Sequence, residues 1–177
     1  MEVFQGRPAD VTGRLEKEIA VYDLLDQLDI PFRRVDHDHA DTMEMCQEID
    51  QALGQDICKN LFLCNRQKTK FYLLLMPGDK PFRTKDLSAQ IGSSRLSFGG
   101  PEDMERLLHL TPGSVTVLGL MYDPDCQVTL LIDQDLYQQT AFGCHPCINT
   151  STVQFSTADF REKLLPALGH PVTLVQL

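Results

Sequence analysis

A lysine inside an otherwise apolar run is the first residue that asks for a chemical explanation. It sits in Cys58-Lys59-Asn60-Leu61-Phe62-Leu63. An ammonium buried without a partner costs roughly several kcal/mol, so Lys59 either snorkels at the end of a strand or is aimed at an anion. A second constellation is Phe142-Gly143-Cys144-His145-Pro146-Cys147-Ile148-Asn149-Thr150. Gly143 permits unusual backbone angles and Pro146 stiffens the chain, a combination that offers backbone N–H and C=O groups to a ligand. His145 and Asn149 add hydrogen-bonding capacity there, although a lone loop histidine is more often a surface or capping residue. A third stretch, Arg95-Leu96-Ser97-Phe98-Gly99-Gly100, is a base leading into a glycine turn, and it says little alone.

Cys144-His145-Pro146-Cys147 has the C-x-x-C spacing of a dithiol redox centre or half of a zinc site. Redox chemistry asks for a helix N-terminus, whose partial positive charge lowers the thiol pKa. The residues that follow, 148–155, are rich in β-branched side chains and alternate, which reads as a strand. Zinc asks for a second ligand pair, and the sequence holds neither another C-x-x-C nor an H-x₃-H. His37 and His39 are the remaining candidates, and nothing in the sequence pairs them with Cys144. The expectation is therefore no metal and no cofactor. Six scattered cysteines are too few for a disulfide scaffold in 177 residues, so reduced thiols are expected.

The elements that must position these residues follow from periodicity. Residues 14–30 place Leu15, Ile19, Tyr22, Leu25 and Leu28 on one helical face, and Pro31 ends that helix. A strand over 32–37 is followed by a helix with Thr42 as N-cap and Gly54 as its stop. The runs 58–65 and 70–76 predict a strand pair at the centre of a sheet. Helices are expected over 84–91 and from Pro101 to Leu108, and strands over 115–118 and 128–132. A strand over 148–156, a helix over 157–168 capped by Ser156 or Thr157, and a last strand over 172–176 complete the chain. Interleaved strands and helices point to an α/β or α+β fold with a mixed sheet, in one domain spanning 1–177. No apolar signal segment follows Met1 and no apolar run approaches a membrane span, so the expected location is cytoplasmic, with no membrane partner.

The net charge of −9 excludes a whole-surface attraction to nucleic acid or anionic lipid. Its distribution does not exclude a local one. Residues 1–58 carry 14 acids and 5 bases, 59–95 carry 2 acids and 8 bases, and 96–177 carry 9 acids and 3 bases. A charge run is usually a solvated face, so the middle stretch gains meaning only if chemistry sits beside it.

The motifs occur in a fixed order: Lys-Asn-Leu-Phe-Leu at 59–63, Arg-Leu-Ser-Phe at 95–98, Pro-Gly-Ser-Val at 112–115 and His-Pro-x-x-Asn-Thr at 145–150. In that order they resemble the YbaK/prolyl-tRNA synthetase-associated editing domain family, and more narrowly its freestanding PrdX-type branch, from about residue 14 to the C-terminus. The resemblance implies a curved mixed sheet with helices packed outside. It also implies a single-domain hydrolase that deacylates mischarged tRNA in trans, above all alanyl-tRNA(Pro), with transient contact to prolyl-tRNA synthetase. By the family pattern Lys59 is essential and meets the tRNA 3′ end or the ester, with Asn60 beside it. His145 and the Gly143, Cys144, Pro146 segment position the terminal adenosine, with Asn149 and Thr150 lining the same region. Lys68, Lys80, Lys85 and Arg95 are the expected tRNA contacts.

Ester hydrolysis needs a placed water, a donor for the developing oxyanion and a shaped pocket, and positioning alone contributes roughly 7–11 kcal/mol. The expected mechanism is water positioned by the backbone and Lys59, assisted by the ribose hydroxyl, without a covalent intermediate. The Gly143 to Pro146 segment is shorter than the G-x-x-x-P loop of the editing domain inserted in prolyl-tRNA synthetase. That leaves the choice among alanine, serine and cysteine open. Two other readings remain: a non-catalytic tRNA- or synthetase-binding module, and a dithiol or zinc protein built on Cys144 and Cys147.

Overall fold

A computed structural model describes residues 1–177. The chain runs β1 (Phe4–Gln5), α1 (Glu16–Gln27), β2 (Arg33–Asp36), α2 (Met43–Leu53), β3 (Lys59–Cys64), β4 (Phe71–Met76), α3 (Thr84–Ile91), β5 (Ser97–Phe98) and α4 (Pro101–Leu108). A 3₁₀ segment (Val117–Tyr122), β6 (Val128–Asp133), a second 3₁₀ segment (Gln134–Gln138), β7 (Ala141–Cys144), β8 (Ser151–Ser156), α5 (157–168) and β9 (Val172–Val175) follow. No helix is long and apolar enough to cross a membrane.

The expected mixed α/β fold forms, with its strands shared between two sheets. One is antiparallel in the order β1-β2-β8-β7, and the other is mixed in the order β5-β3-β4-β6-β9. In the second, β3 and β4 pair antiparallel from Lys59 opposite Met76 to Cys64 opposite Phe71, while β4, β6 and β9 run parallel. β4 is buried along its whole length because both of its faces are covered. Phe71, Leu73 and Leu75 enter the main core between the sheets, and Tyr72, Leu74 and Met76 pack with Leu87 of α3 on the outer side.

Local chemistry sets the element ends. Thr42 Oγ1 accepts from the Met45 N–H at 3.2 Å to open α2, and Gly54 closes it in the left-handed region at φ 71°. Ser156 caps α5 through the Asp159 N–H at 3.0 Å. The middle of α5, Phe160–Leu164, widens into a π turn just before Pro166. A proline has no N–H to give the carbonyl four residues back and its ring crowds that carbonyl, so a wider turn makes room for it.

Three expectations change. The strand expected over 115–118 is a 3₁₀ segment, Val117–Tyr122, because the Val117 N–H that a strand would give its neighbour goes to Asn60 Oδ1 at 3.1 Å. Gly119 then packs where an added Cβ would lie 2.7 Å from Leu110 Cδ1. Gly143 and Cys144, expected to open a loop that runs to Pro146, are the end of strand β7 paired with β8, and the strand expected from 148 starts at Ser151. Before it, Cys147 turns the chain at φ 63°.

A polar network fastens α1 to the ends of β2 and β8. Glu18 is 1% exposed and accepts from Arg14 at 2.6 Å and from Tyr22. Arg14 also donates to Asp36 Oδ2 at 3.0 Å, and Ser151 Oγ lies 3.0 Å from Asp36 Oδ1. Burial pushes the Asp36 carboxyl up, but Arg14, Arg34 and Ser151 outweigh it and hold the group at about 2. Replacing Arg14 with Ala strands the Glu18 carboxylate. The expected loss is about 2–3 kcal/mol by denaturant titration, less than the ~3–5 of a fully buried pair because water reaches Arg14. Asp36 stabilises the fold above the ordinary carboxylate range, and that contribution is lost as the pH falls through about 2. Asp36→Asn is expected to flatten the acid limb of the stability curve over that window.

Candidate functional site

β3 delivers Lys59 and β7 delivers His145 to a single cleft of about 470 Å³. Its walls are Met43, Cys46 and Ile49 of α2, the 56–58 lead into β3, the Gly78-Asp79 turn, and Thr152 of β8. Lys59 is the first residue of β3 and partly buried, and its Nζ donates to the Lys80 carbonyl. The strand end thus lets the ammonium reach a polar partner at the cleft mouth, and an anion of substrate can replace that neutral carbonyl.

His145 follows the last residue of β7. Its Nδ1 lies 2.8 Å from the Ser151 carbonyl, which can only accept, so Nδ1 carries the proton and Nε2 keeps its lone pair. Burial pushes the His145 pKa down, the Ser151 bond opposes this, and His37, with its ring centroid 6.0 Å away, adds to the lowering. Thr152 Oγ1 bridges the two histidines, 2.9 Å from His37 Nε2 and 3.4 Å from His145 Nδ1. The ring is a neutral hydrogen-bond acceptor at neutral pH.

Asn60 points to the other side of β3. Its Oδ1 accepts from Val117, and its Nδ2 donates to the Cys58 carbonyl at 3.3 Å and lies 3.2 Å from Cys58 Sγ. It is a positioning residue that ties β3 to the 113–117 segment. There it lines a smaller cavity of about 210 Å³ with Ile57, Cys58, Val115, Cys144 and His145, so His145 borders both spaces. Gly143 does not use glycine's left-handed freedom. It is an extended β7 residue, and a Cβ there would stand 3.1 Å from Ile57 Cδ1, in the wall of the small cavity. Pro146 is buried and lines neither space. Cys144 and Cys147 are buried, and burial pushes both thiols up to about 12. A reactive dithiol needs the opposite shift.

Other expected site residues lie elsewhere. Asn149 and Thr150 line a separate hollow of about 440 Å³ beside Arg14, Lys17 and His39, not the cleft of Lys59. Asn149 closes the turn there, donating to Asp41 Oδ1 at 2.9 Å and accepting from the Ala40 N–H at 3.1 Å. Lys80 is held by Asp133 at 2.9 Å, Asp135 at 2.6 Å and the Leu177 carbonyl at 2.9 Å, so its charge is already neutralised. Lys68 is in the β3–β4 turn and Arg95 precedes β5, at the far end of β3 from Lys59, about 20 Å away by strand rise. Lys85 is exposed in the first turn of α3, nearer the cleft. Cys58 and Thr152 are cleft residues that sequence spacing did not mark as a site, and His37, outside the lining, reaches the cleft wall through its bond to Thr152. Cys58 stands next to the marked lysine, but only the pairing of β2 with β8 brings His37 to Thr152.

Comparison with known proteins bears on the family and the fold. A family model described as an aminoacyl-tRNA editing domain matches residues 37–163. The chain is 31% identical over 163 residues to the prolyl-tRNA editing protein ProX of Acetoanaerobium sticklandii, covering 92% of this chain and 99% of that protein. It is 28% identical over 169 residues to prolyl-tRNA synthetase associated domain-containing protein 1 of Danio rerio, covering 94% and 88%. A crystal structure of a candidate trans-editing enzyme for prolyl tRNA synthetase shares the fold, with a TM-score of 0.66 at 17% identity and coverage of 92% and 98%.

In an NMR titration, His145 is expected to take up its proton below the ~6.5 of a free imidazole. Its folded pKa is depressed, so the neutral ring contributes stability at and above the unfolded value, and this is lost as the pH falls through the folded one. A midpoint at or above the free value overturns the neutral acceptor.

Proposed function

The chain belongs to the aminoacyl-tRNA editing domain family and is an aminoacyl-tRNA deacylase, and within that family we propose that it acts in trans on alanyl-tRNA(Pro). The observation that carries this reading is the convergence of Lys59 and His145, 86 positions apart in the sequence, on one cleft with a smaller cavity beside it that His145 also borders. The terminal adenosine lies in the cleft and the aminoacyl group enters the smaller cavity. Its Ile57, Cys58, Val115 and Cys144 walls suit a methyl side chain, and the Asn60 amide and His145 Nδ1 that also line it are already bonded within the protein, so a serine hydroxyl gains little in exchange for its water. Apolar pockets of this kind discriminate by about 10²-fold at most, so seryl-tRNA is a slower substrate and not an excluded one.

A water oxygen attacks the ester carbonyl carbon, the bond from that carbon to the ribose oxygen breaks, and the ribose oxygen takes up a proton. The products are the free amino acid and an uncharged tRNA end. His145 Nε2 accepts a hydrogen bond from the vicinal ribose hydroxyl and fixes the sugar. The Lys59 ammonium leaves the Lys80 carbonyl for the negative charge of the substrate, where it stabilises the developing oxyanion or the adjoining phosphate. Cys144 and Cys147 are protonated at neutral pH, which favours direct attack by water over a thioester intermediate. The synthetase is the partner the relatives' names suggest, and a transient encounter with it fits an editing step in trans.

Deacylation of alanyl-, seryl- and cysteinyl-tRNA(Pro) tests this directly. Alanyl-tRNA is expected to be hydrolysed fastest, and Lys59→Ala to slow it by about 10²–10³-fold, the scale of removing one oxyanion donor. Cys144→Ser and Cys147→Ser are expected to keep turnover within the loss that their altered packing explains. Tight tRNA binding with no turnover indicates a binding module instead, and an unchanged rate in Lys59→Ala removes the proposed role of the ammonium.

A further inference from the structure

The outer face of the five-stranded sheet carries an aromatic ledge that the chemistry above does not use. Residues alternate across a strand, so Lys59, Leu61 and Leu63 share the face of β3 that lies toward α3. Phe98 pairs with Leu63 across β3 and β5, and it is 62% exposed, an unusual position for a phenylalanine. Phe82 reaches the same place from the loop before α3. Its ring meets Phe98 edge-on, with centroids 6.2 Å apart and planes inclined at 66°, and it packs with Leu61 against the outer core. The loop that carries Phe82 is the one whose Lys80 carbonyl receives the Lys59 ammonium. The ledge therefore starts beside Lys59 and runs along β3 to Phe98.

Its setting is basic in an acidic protein. Arg83 and Lys85 stand exposed next to Phe82, and Arg95 is exposed just before β5, whereas the acids of the same stretch are Asp79 and Asp86. Elsewhere the chain is acidic on both sides, with 14 acids to 5 bases before residue 59 and 9 to 3 after residue 95. Exposed aromatic faces flanked by cations are the components of a single-strand platform, on which bases stack while bases of the protein meet phosphates.

We propose that Phe82 and Phe98 form a stacking platform for the unpaired nucleotides that lead to the terminal adenosine of the tRNA. Arg83, Lys85 and Arg95 contact the phosphates of that strand. From Lys59 to Leu63 is about 13 Å at the usual strand rise, which accommodates three to four nucleotides stacked ~3.4 Å apart. That number fits the single-stranded 3′ end of a tRNA, with its last residue delivered at Lys59. The platform rests on the proposal that the cleft takes an aminoacyl-tRNA.

Two measurements separate the platform from the cleft. With alanyl-tRNA(Pro), Phe98→Ala is expected to raise KM by about 5- to 150-fold, the range for losing one base stack, with kcat little changed. With the alanyl ester of adenosine alone, which cannot reach the ledge, Phe98→Ala is expected to match the unaltered protein. Phe98→Leu keeps the apolar bulk without the ring and is expected to behave like Phe98→Ala. An unchanged KM, an equal loss on the short ester, or full activity in Phe98→Leu each overturns the platform. The chain contains no tryptophan, so Phe98→Trp gives a single reporter. Its fluorescence is expected to be quenched by an RNA hairpin that carries the unpaired tRNA 3′ sequence, and less so by the same hairpin with a blunt end. This readout does not require turnover, so it decides the platform even if the deacylase assay finds none, and equal quenching by both hairpins overturns it.

Discussion

The short bond from His145 Nδ1 to the Ser151 carbonyl is the contact on which the site depends. It fixes the tautomer, turns Nε2 into an acceptor, and ties the end of β7 to the start of β8 across a six-residue turn. Ser151 is itself held, because its hydroxyl lies 3.0 Å from both the Val35 carbonyl and Asp36 Oδ1. Asp36 is clamped by Arg14 and Arg34, and Arg14 by the buried Glu18 of α1. An unbroken polar path thus runs from the first helix to the histidine ring. Buried polar networks are costly when any member is missing and rigid when all are present. Here the path is fully paired, so the ring has one orientation without any charged side chain touching it directly. The same burial favours the neutral ring, which leaves Nε2 free to accept a hydrogen bond.

What the sequence makes legible follows from how local each signal is. Helix α2 is readable because Thr42 and Gly54 mark its ends, and α4 because Pro101 opens it. The β3–β4 pair is readable because two apolar runs stand four residues apart. β7 is not, since Gly143, Cys144 and Pro146 read as a loop, and only pairing to β8 makes the segment extended. The 3₁₀ segment after Thr116 has a strand-like composition, and a side chain 57 positions away, Asn60, redirects its first N–H. Lys59 and His145 were legible as chemistry because an ammonium in an apolar run and a His-Pro turn are locally odd. Asn149 has the same local oddness but holds a turn shut. Residue type alone cannot tell a ligand from a structural clasp when both are polar residues beside a turn.

The charge distribution resolves similarly. Of the eight bases in 59–95, Lys80 is neutralised by two aspartates, and Lys68 lies at the hairpin end with Arg66 and Lys70. The positive stretch is therefore not one patch aimed at the cleft. It is a small group near Phe82 and a second group about 20 Å away at the other end of the same strand. An acidic protein that must meet a polyanion gains from such sparseness. Few phosphate contacts mean modest salt dependence and quick release, and acidic surface elsewhere disfavours a phosphate backbone there.

β3 resolves the remaining tension between binding and chemistry through the two-residue period of a strand. Lys59 faces outward, toward the aromatic ledge, and its neighbour Asn60 faces inward, toward the small cavity and the 3₁₀ segment. A shift of one residue in the β3–β4 register would exchange the two faces, burying the ammonium in the core and exposing the amide. That register is fixed by six consecutive pairs from Lys59–Met76 to Cys64–Phe71, and by a turn in which Asn65 Oδ1 accepts from the Thr69 and Lys70 N–H groups at 2.8 and 3.1 Å. The apolar alternation that looks like mere core packing is therefore what places the one cation of the strand at the boundary between the core and the cleft.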